Sequence, residues 1–324
     1  MLVTLMAPVA RGRAYLPPLA AAVLAMLLSD VVPMLGALLL ALLFGAVLAN
    51  SGWVSSEFLA DQAAVTKGLL RAGVVLLGLR LPFQEIARVG VTGVLVVVVT
   101  VSVTYFLTRW FGTRMGLDAG LVTLLAAGFS ICGAAAIAAV SDVVRARQRD
   151  VALAVAMVTV FGGLMIGFVP WAAALLGLTD VQSAVWAGAS IHEVAQVAAA
   201  ASLIGGNAVA FAMLIKLGRV AMLAPVSWLA GRAHAASGTS PMVPGFILGF
   251  AVMAAIRTMA PLPVAVLDLA DTATTVLLAG GMFGLGVGLR LRDLWPVPPR
   301  VLCLAAASTA IALGTSLALI LILF

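Results

Sequence analysis

Residues 188–201 read GASIHEVAQVAAAA, inside a chain of 324 residues of which 64% are hydrophobic and 9% charged. Glycine, serine, histidine and glutamate here interrupt an apolar segment that would otherwise run from 180 to 205. Each half left over is shorter than the ~20 residues a helix needs to span hydrocarbon. A second stretch, GFSICG at 128–133, interrupts the segment 117–141 in the same way. How these two segments are threaded decides the fold.

The rest of the chain places them in a bilayer. A mean hydropathy of +1.23 lies far above that of soluble domains, in which about half the residues are apolar. Apolar spans recur at roughly 14–30, 33–50, 63–80, 88–108, 117–141, 150–178, 180–205, 206–229, 241–258, 268–289 and 300–323. A membrane β-barrel would instead alternate over segments of about ten residues. The expected fold is therefore an all-α polytopic membrane protein. It has about 9–11 transmembrane segments, two discontinuous or re-entrant helices and an inverted repeat. One membrane-embedded domain covers 1–324, with halves at roughly 14–141 and 150–324, and WVSSEFLADQ at 53–62 is read as a short interfacial segment. The N-terminal MLVTLMAPVARGRAYLPP is read as retained, because no cleavage site follows its short apolar run. Cys132 and Cys303 lie in apolar segments and support no disulfide framework.

The net charge of +6 comes mostly from arginines in short loops, which orient membrane proteins and do not imply nucleic-acid binding. With a cytoplasmic N-terminus and every segment crossing, eight fall inside: Arg11, Arg13, Arg109, Arg114, Arg232, Arg290, Arg292 and Arg300. Six fall outside: Arg80, Arg88, Arg145, Arg147, Arg149 and Arg257. If 117–141 and 180–205 each return to the side they entered from, Arg145, Arg147 and Arg149 move inside and the count becomes eleven to three. The positive-inside rule favours that threading. Re-entrant backbone is allowed where protein or water shields it from lipid.

An internal echo points toward a transporter. LLRAGVVLLGLRL at 69–81 resembles LLAGGMFGLGVGLRL at 277–291, and Val32-Pro33 matches Val243-Pro244 at nearly the same offset upstream. An odd number of crossings between the copies would invert one relative to the other, a hallmark of secondary carriers. Gly-x-Ser-Ile recurs at 128–131 and 188–191. The glycine run Gly280, Gly281, Gly284, Gly286 and Gly288 suits close helix packing.

Ser190-Ile-His-Glu193 fits a capping box, with Ser190 as N-cap and Glu193 three residues on. Such a box needs neither His192 nor Gln196, and on a helix these two and Glu193 would share one side. Ionisable groups at membrane depth face a cavity or a partner, so a polar site is expected here. Ser130 would cap the second half of the earlier element, followed by Cys132 and Gly133. The ends of the two half-helices would then offer free N–H groups to an anion. For Gly128 and Gly133 close backbone packing is the competing explanation, and Cys132 reads as a small buried residue.

The basic residues inside spans set the sign of the cargo. Lys67 and Arg71 lie near the start of one span, where snorkelling to the interface competes with a role as secondary anion contacts. Lys216 and Arg219 lie near the middle of LIKLGRVAMLAPVSW and need an anionic partner: Glu193, a substrate, or both. No aspartate lies mid-span. Basic groups outnumber the one mid-span glutamate, which argues for an anionic cargo and against a cation exchanger.

In order along the chain, LLGLRL, SICGAAAIAA, SIHEVAQVAAA and KLGRVAMLAPV resemble the YeiH-like family, which carries a sulfate-exporter label. The resemblance covers nearly the whole chain. It implies a bacterial inner-membrane secondary transporter with about ten or eleven segments, similar in fold to the inverted-repeat carriers of anions and organic acids. The family usually has a hydroxyl residue where Gly218 stands, so no contact from that side chain carries over.

The expected function is alternating-access transport of a small anion such as sulfate, sulfite or a sulfonate. The substrate set is Ser130, Cys132, Gly133, Ser190, His192, Lys216 and Arg219, and Glu193, His192 and Gln196 couple transport to an ion, H+ or Na+. The expected surroundings are the lipid bilayer, with a homodimer as one possible assembly. No cofactor, metal or nucleic acid is expected. A cation/proton antiporter of the same architecture is one alternative. An intramembrane enzyme using Cys132 or Ser130 with His192 and Glu193 is another.

Overall fold

The computed structural model describes residues 14–31, 36–52, 56–80, 90–205, 208–234, 245–287 and 297–324. All regular structure among them is helical: α1 Leu16–Val31, α2 Ala37–Asn50, α3 Ser56–Leu77, α4 Gly90–Arg114, α5 Ala119–Ser130, α6 Ala134–Val143 and α7 Gln148–Leu175. Then come α8 Asp180–Ser190, α9 Val194–Ile204, α10 Ala208–Ala221, α11 Leu223–His234, α12 Gly245–Met259, α13 Val264–Val287 and α14 Pro299–Leu323. A helix satisfies its own N–H and C=O groups, and this is why apolar sequence of this kind folds as helices in a bilayer. The stretches 90–114, 148–175, 208–232, 264–287 and 299–323 are each long and apolar enough to span. The protein is a multi-pass membrane protein.

Both interruptions expected from the sequence are breaks of three residues. One separates α5 from α6 at 131–133 and the other separates α8 from α9 at 191–193. Two further joints differ from expectation. Residues 56–62 are the first turns of α3, with no glycine or proline to divide them from the rest. The span 206–229 bends at Met222 between α10 and α11, where Pro225 has no N–H to continue the ladder.

The helices pack as two bundles. A scaffold forms from α1, α2, α3, α12 and α13, and a core bundle from α4 to α10 with α14. Glycines set the scaffold spacing. A Cβ on Gly281 would lie 2.5 Å from Leu70, one on Gly284 would lie 1.9 Å from Thr66 Oγ1, and one on Gly286 would lie 2.0 Å from the Leu42 carbonyl. These contacts, with Gly73 against Leu278, run α3 and α13 antiparallel. The paired echoes at 69–81 and 277–291 sit on these two helices, while residues 81 and 288–291, together with Val32-Pro33 and Val243-Pro244, lie outside the described residues.

The α5–α6 element is a hairpin. Asp118 caps the start of α5, accepting from Gly120 N at 3.0 Å. It also pairs with Arg147, just past the end of α6, at 3.6 Å, so the element enters and leaves at one end of the molecule. Arg145 and Gln148 stand at that same basic end, beside Arg71. The α8–α9 element occupies the opposite half. There α9 packs on α10, while the continuation of α10, α11, packs on α6. Thus the two discontinuous elements enter the core bundle from opposite ends of the molecule, and their tips meet inside it.

Candidate functional site

The two tips are built alike. Ser130 and Ser190 end α5 and α8, and each hydroxyl donates to the carbonyl four residues back, Ala126 and Trp186, at 2.6 Å. Neither serine is the N-cap of the following half-helix, contrary to the sequence expectation. Their hydroxyls turn back into their own helices, and the caps fall three residues later at Gly133 and Glu193. Gly133 has a φ of +74° and sits against Glu193 Cγ, 2.5 Å from where a Cβ would be. Only glycine meets both conditions. A Cβ on Gly128 would come within 2.7 Å of Ile137, so that glycine serves packing.

The carbonyls at the ends of α5 and α8 carry the negative pole of each half-helix, and both cations of α10 are spent on them. Lys216 Nζ donates to the carbonyls of Ile131 at 2.9 Å and Ile191 at 2.8 Å, and also to that of His192. Arg219 donates from Nε to Ser130 at 3.0 Å, from Nη1 to Ala189 at 2.6 Å and Ile191 at 2.9 Å, and from Nη2 to Phe129 at 2.9 Å. Both side chains are fully buried. Among the described residues no carboxylate accepts from either. Together they pin the two hairpin tips to each other, where Glu193, a substrate or both had been expected as the anionic partner.

His192 also turns away from the expected cluster. The helix starts only at Val194, so His192 and Gln196 do not share a helical face. Its ring nitrogens meet the Phe129 carbonyl at 3.3 Å and Thr309 Oγ1 at 3.1 Å, and the ring stacks edge-on with Phe129. The ring nitrogens of His192 are thus engaged by Phe129 and Thr309, and the ring is held at the tip.

Glu193 occupies the other pole. Its carboxylate accepts from Thr159 Oγ1 at 3.1 Å and from the backbone N–H of Ala134, the first residue of α6. Gln196 holds the glutamate in place: its Oε1 accepts from Glu193 N at 3.2 Å and its Nε2 donates to the Thr159 carbonyl at 3.1 Å. Gly162 makes room for that amide, since a Cβ there would lie 2.0 Å from Gln196 Oε1. The negative ends of the half-helices thus face two cations, and a positive end faces the one buried glutamate.

Glu193 borders a cavity of about 340 Å3 between the two bundles. Cys132, Ala134, Ala135 and Val194 form its core-bundle wall, and Gly36, Leu77, Arg80, Asp271 and Thr275 its scaffold wall. On the basic side of the hairpin a second, open cavity of about 490 Å3 is lined by Thr66, Arg71, Ser141, Asp142 and Arg145. There Arg71 bonds Asp142 across the bundles, Nε at 2.8 Å and Nη2 at 2.6 Å. The side chain of Lys67 lies outside the described residues. No group of three or more histidine, cysteine, aspartate or glutamate residues able to hold a metal occurs among the described residues.

Sequence reasoning missed Thr159, Thr309 and Arg80. The first two are ordinary span residues until the fold brings them to Glu193 and His192. Arg80 counted only toward topology, although it belongs to the LLGLRL echo.

The profile of the family described as Conserved hypothetical protein 698 matches residues 16–305. A UPF0324 membrane protein of Corynebacterium glutamicum is 38% identical over 250 residues, covering 75% of this chain and 72% of its own. One from Yersinia pestis is 39% identical over 248 residues, covering 71% and 68%. The UPF0324 inner membrane protein YeiH of Salmonella typhimurium is 37% identical over 252 residues, covering 74% and 72%. No solved structure matches the chain.

Proposed function

The chain belongs to the family described as Conserved hypothetical protein 698, and from that premise we propose that it is a secondary transporter of a small anion working by alternating access. The observation that carries the reading is the cavity between the bundles, onto which two half-helix N-termini open at membrane depth. Irregular backbone is tolerated at that depth where it lines a cavity, and it recurs at the substrate sites of carriers. Backbone N–H groups at a helix start and the positive helix pole favour an oxyanion such as sulfate, sulfite or a sulfonate. A cavity on each side of one hairpin, both lying in the seam between the bundles, suits a path that opens to either face in turn.

Glu193 is the coupling group. Deprotonated, it fills the α6 N-terminus itself; protonated, it leaves that pole to the cargo. The groups facing it are Thr159, Cys132, Arg80 and Asp271, with Lys216 behind the tip. His192 and Gln196 act on coupling through position alone. Lys216 and Arg219 hold the site together without touching the cargo. By the positive-inside rule the basic end, with Arg145 and Arg147, is cytoplasmic, and the relatives named as inner membrane proteins support residence in that membrane.

Counterflow of radiolabelled sulfate in proteoliposomes, with competition by sulfite, methanesulfonate and small carboxylates, tests the assignment. Exchange of any of these anions that Glu193→Gln frees from pH supports it. Absence of anion exchange, together with a sodium- or lithium-driven pH change in the same vesicles, would replace it with the cation antiporter.

A further inference from the structure

The core bundle supplies the N-termini and Glu193, but the scaffold wall of the same cavity holds a charge of its own. Arg80 ends the 3-10 turn that follows α3. Its guanidinium is ion-paired with the Asp271 carboxylate, and Nη2 donates to the Asp271 carbonyl at 2.8 Å and Thr275 Oγ1 at 2.7 Å. The ion pair lies at Nε, which makes no regular hydrogen bond, and the two bonds commit Nη2. Among the described residues Nη1 donates to no acceptor.

The side chain is only 22% exposed and lines the cavity opposite Cys132. A guanidinium anchored in this manner loses little freedom when it takes up an anion, and its remaining edge matches the geometry of an oxyanion. Asp271 is 59% exposed, so water screens its competition for the guanidinium.

We propose that Arg80 is the scaffold-side contact for the transported anion, which then sits between Arg80 and the N-termini of α6 and α9. This rests on the anion-transporter reading and adds a consequence: the bound anion bridges the two bundles. Occupancy draws the seam shut from both walls, so cargo binding is tied to the change in access.

The test is thermal stabilisation of the purified full chain in nanodiscs by sulfate, sulfite, methanesulfonate or acetate, each against chloride at equal ionic strength. A ligand bound only by the folded state raises the midpoint by mass action. Wild type should be stabilised by at least one of the four. Arg80→Gln should raise the apparent Kd at least about tenfold, as expected on losing a charge-assisted contact, and Arg80→Lys should fall between the two. Asp271→Asn, which removes the competing carboxylate, should bind at least as tightly as wild type, and its fold reports whether the turn tolerates loss of the pair. Equal stabilisation of wild type and Arg80→Gln overturns the role of Arg80 and leaves the transporter reading intact. No stabilisation of wild type by any of the four anions overturns both.

Discussion

Replacing Lys216 by methionine keeps the length and helix propensity of the side chain while deleting its charge. The wild-type ammonium donates to the carbonyls of Ile131, Ile191 and His192, and a hydrogen bond to a charged group contributes about 1.5–3 kcal/mol. The gross loss is therefore large, but burying the ammonium itself costs several kcal/mol that the variant recovers. Removing one partner of a buried charged network leaves a net loss of about 3–5 kcal/mol. Here the loss falls on carbonyls that no water reaches. At roughly 2–4 °C per kcal/mol, the unfolding midpoint of the detergent-purified protein should drop by about 10 °C, read by tryptophan fluorescence. Arg71→Gln breaks the bond to Asp142, but the Arg71 side chain is 54% exposed. An exposed pair contributes about 0–1 kcal/mol, so its midpoint should barely move. A Lys216→Met midpoint within about 2 °C of wild type would refute the idea that Lys216 pins the hairpin tips.

Three further outcomes follow from the geometry. Gly284→Ala places a Cβ 1.9 Å from Thr66 Oγ1 and should depress thermal stability by forcing α3 from α13. Adding Thr66→Ala should restore part of the loss, while Gly314→Ala, with nothing within 4 Å, should be neutral. Gly133→Ala imposes about 1–3 kcal/mol of backbone strain at φ +74° and displaces the Glu193 carboxylate. Anion flux in vesicles should fall well below wild type, and unchanged flux would remove Glu193 from the site. Glu193→Gln should abolish the pH dependence of the flux, whereas a wild-type pH profile in that variant would assign coupling elsewhere.

The breaks at 131–133 and 191–193 were legible because glycine and polar residues in an apolar run are costly at membrane depth. The arginine count favoured a threading in which both elements return, since loop charge is a local property. Cap assignment failed by three residues at both tips. Ser130 and Ser190 could equally cap the next helix or bond back into their own, and only the path of the turn selects the second. The backbone partners of Lys216 and Arg219 were not legible for a related reason: carbonyls carry no sequence signal as acceptors, so the reading turned to counter-charges, Glu193 or a substrate.

By itself, then, the amino-acid sequence determined that the chain lives in a bilayer and where its helices break, because hydropathy acts over a few residues. The tertiary structure alone decided that two hairpin tips converge on α10, that Glu193 meets Thr159 and the start of α6, and that Arg80 faces them from the scaffold. These contacts join residues far apart in the chain, and their energy exists only once two bundles are packed and water is excluded from between the tips.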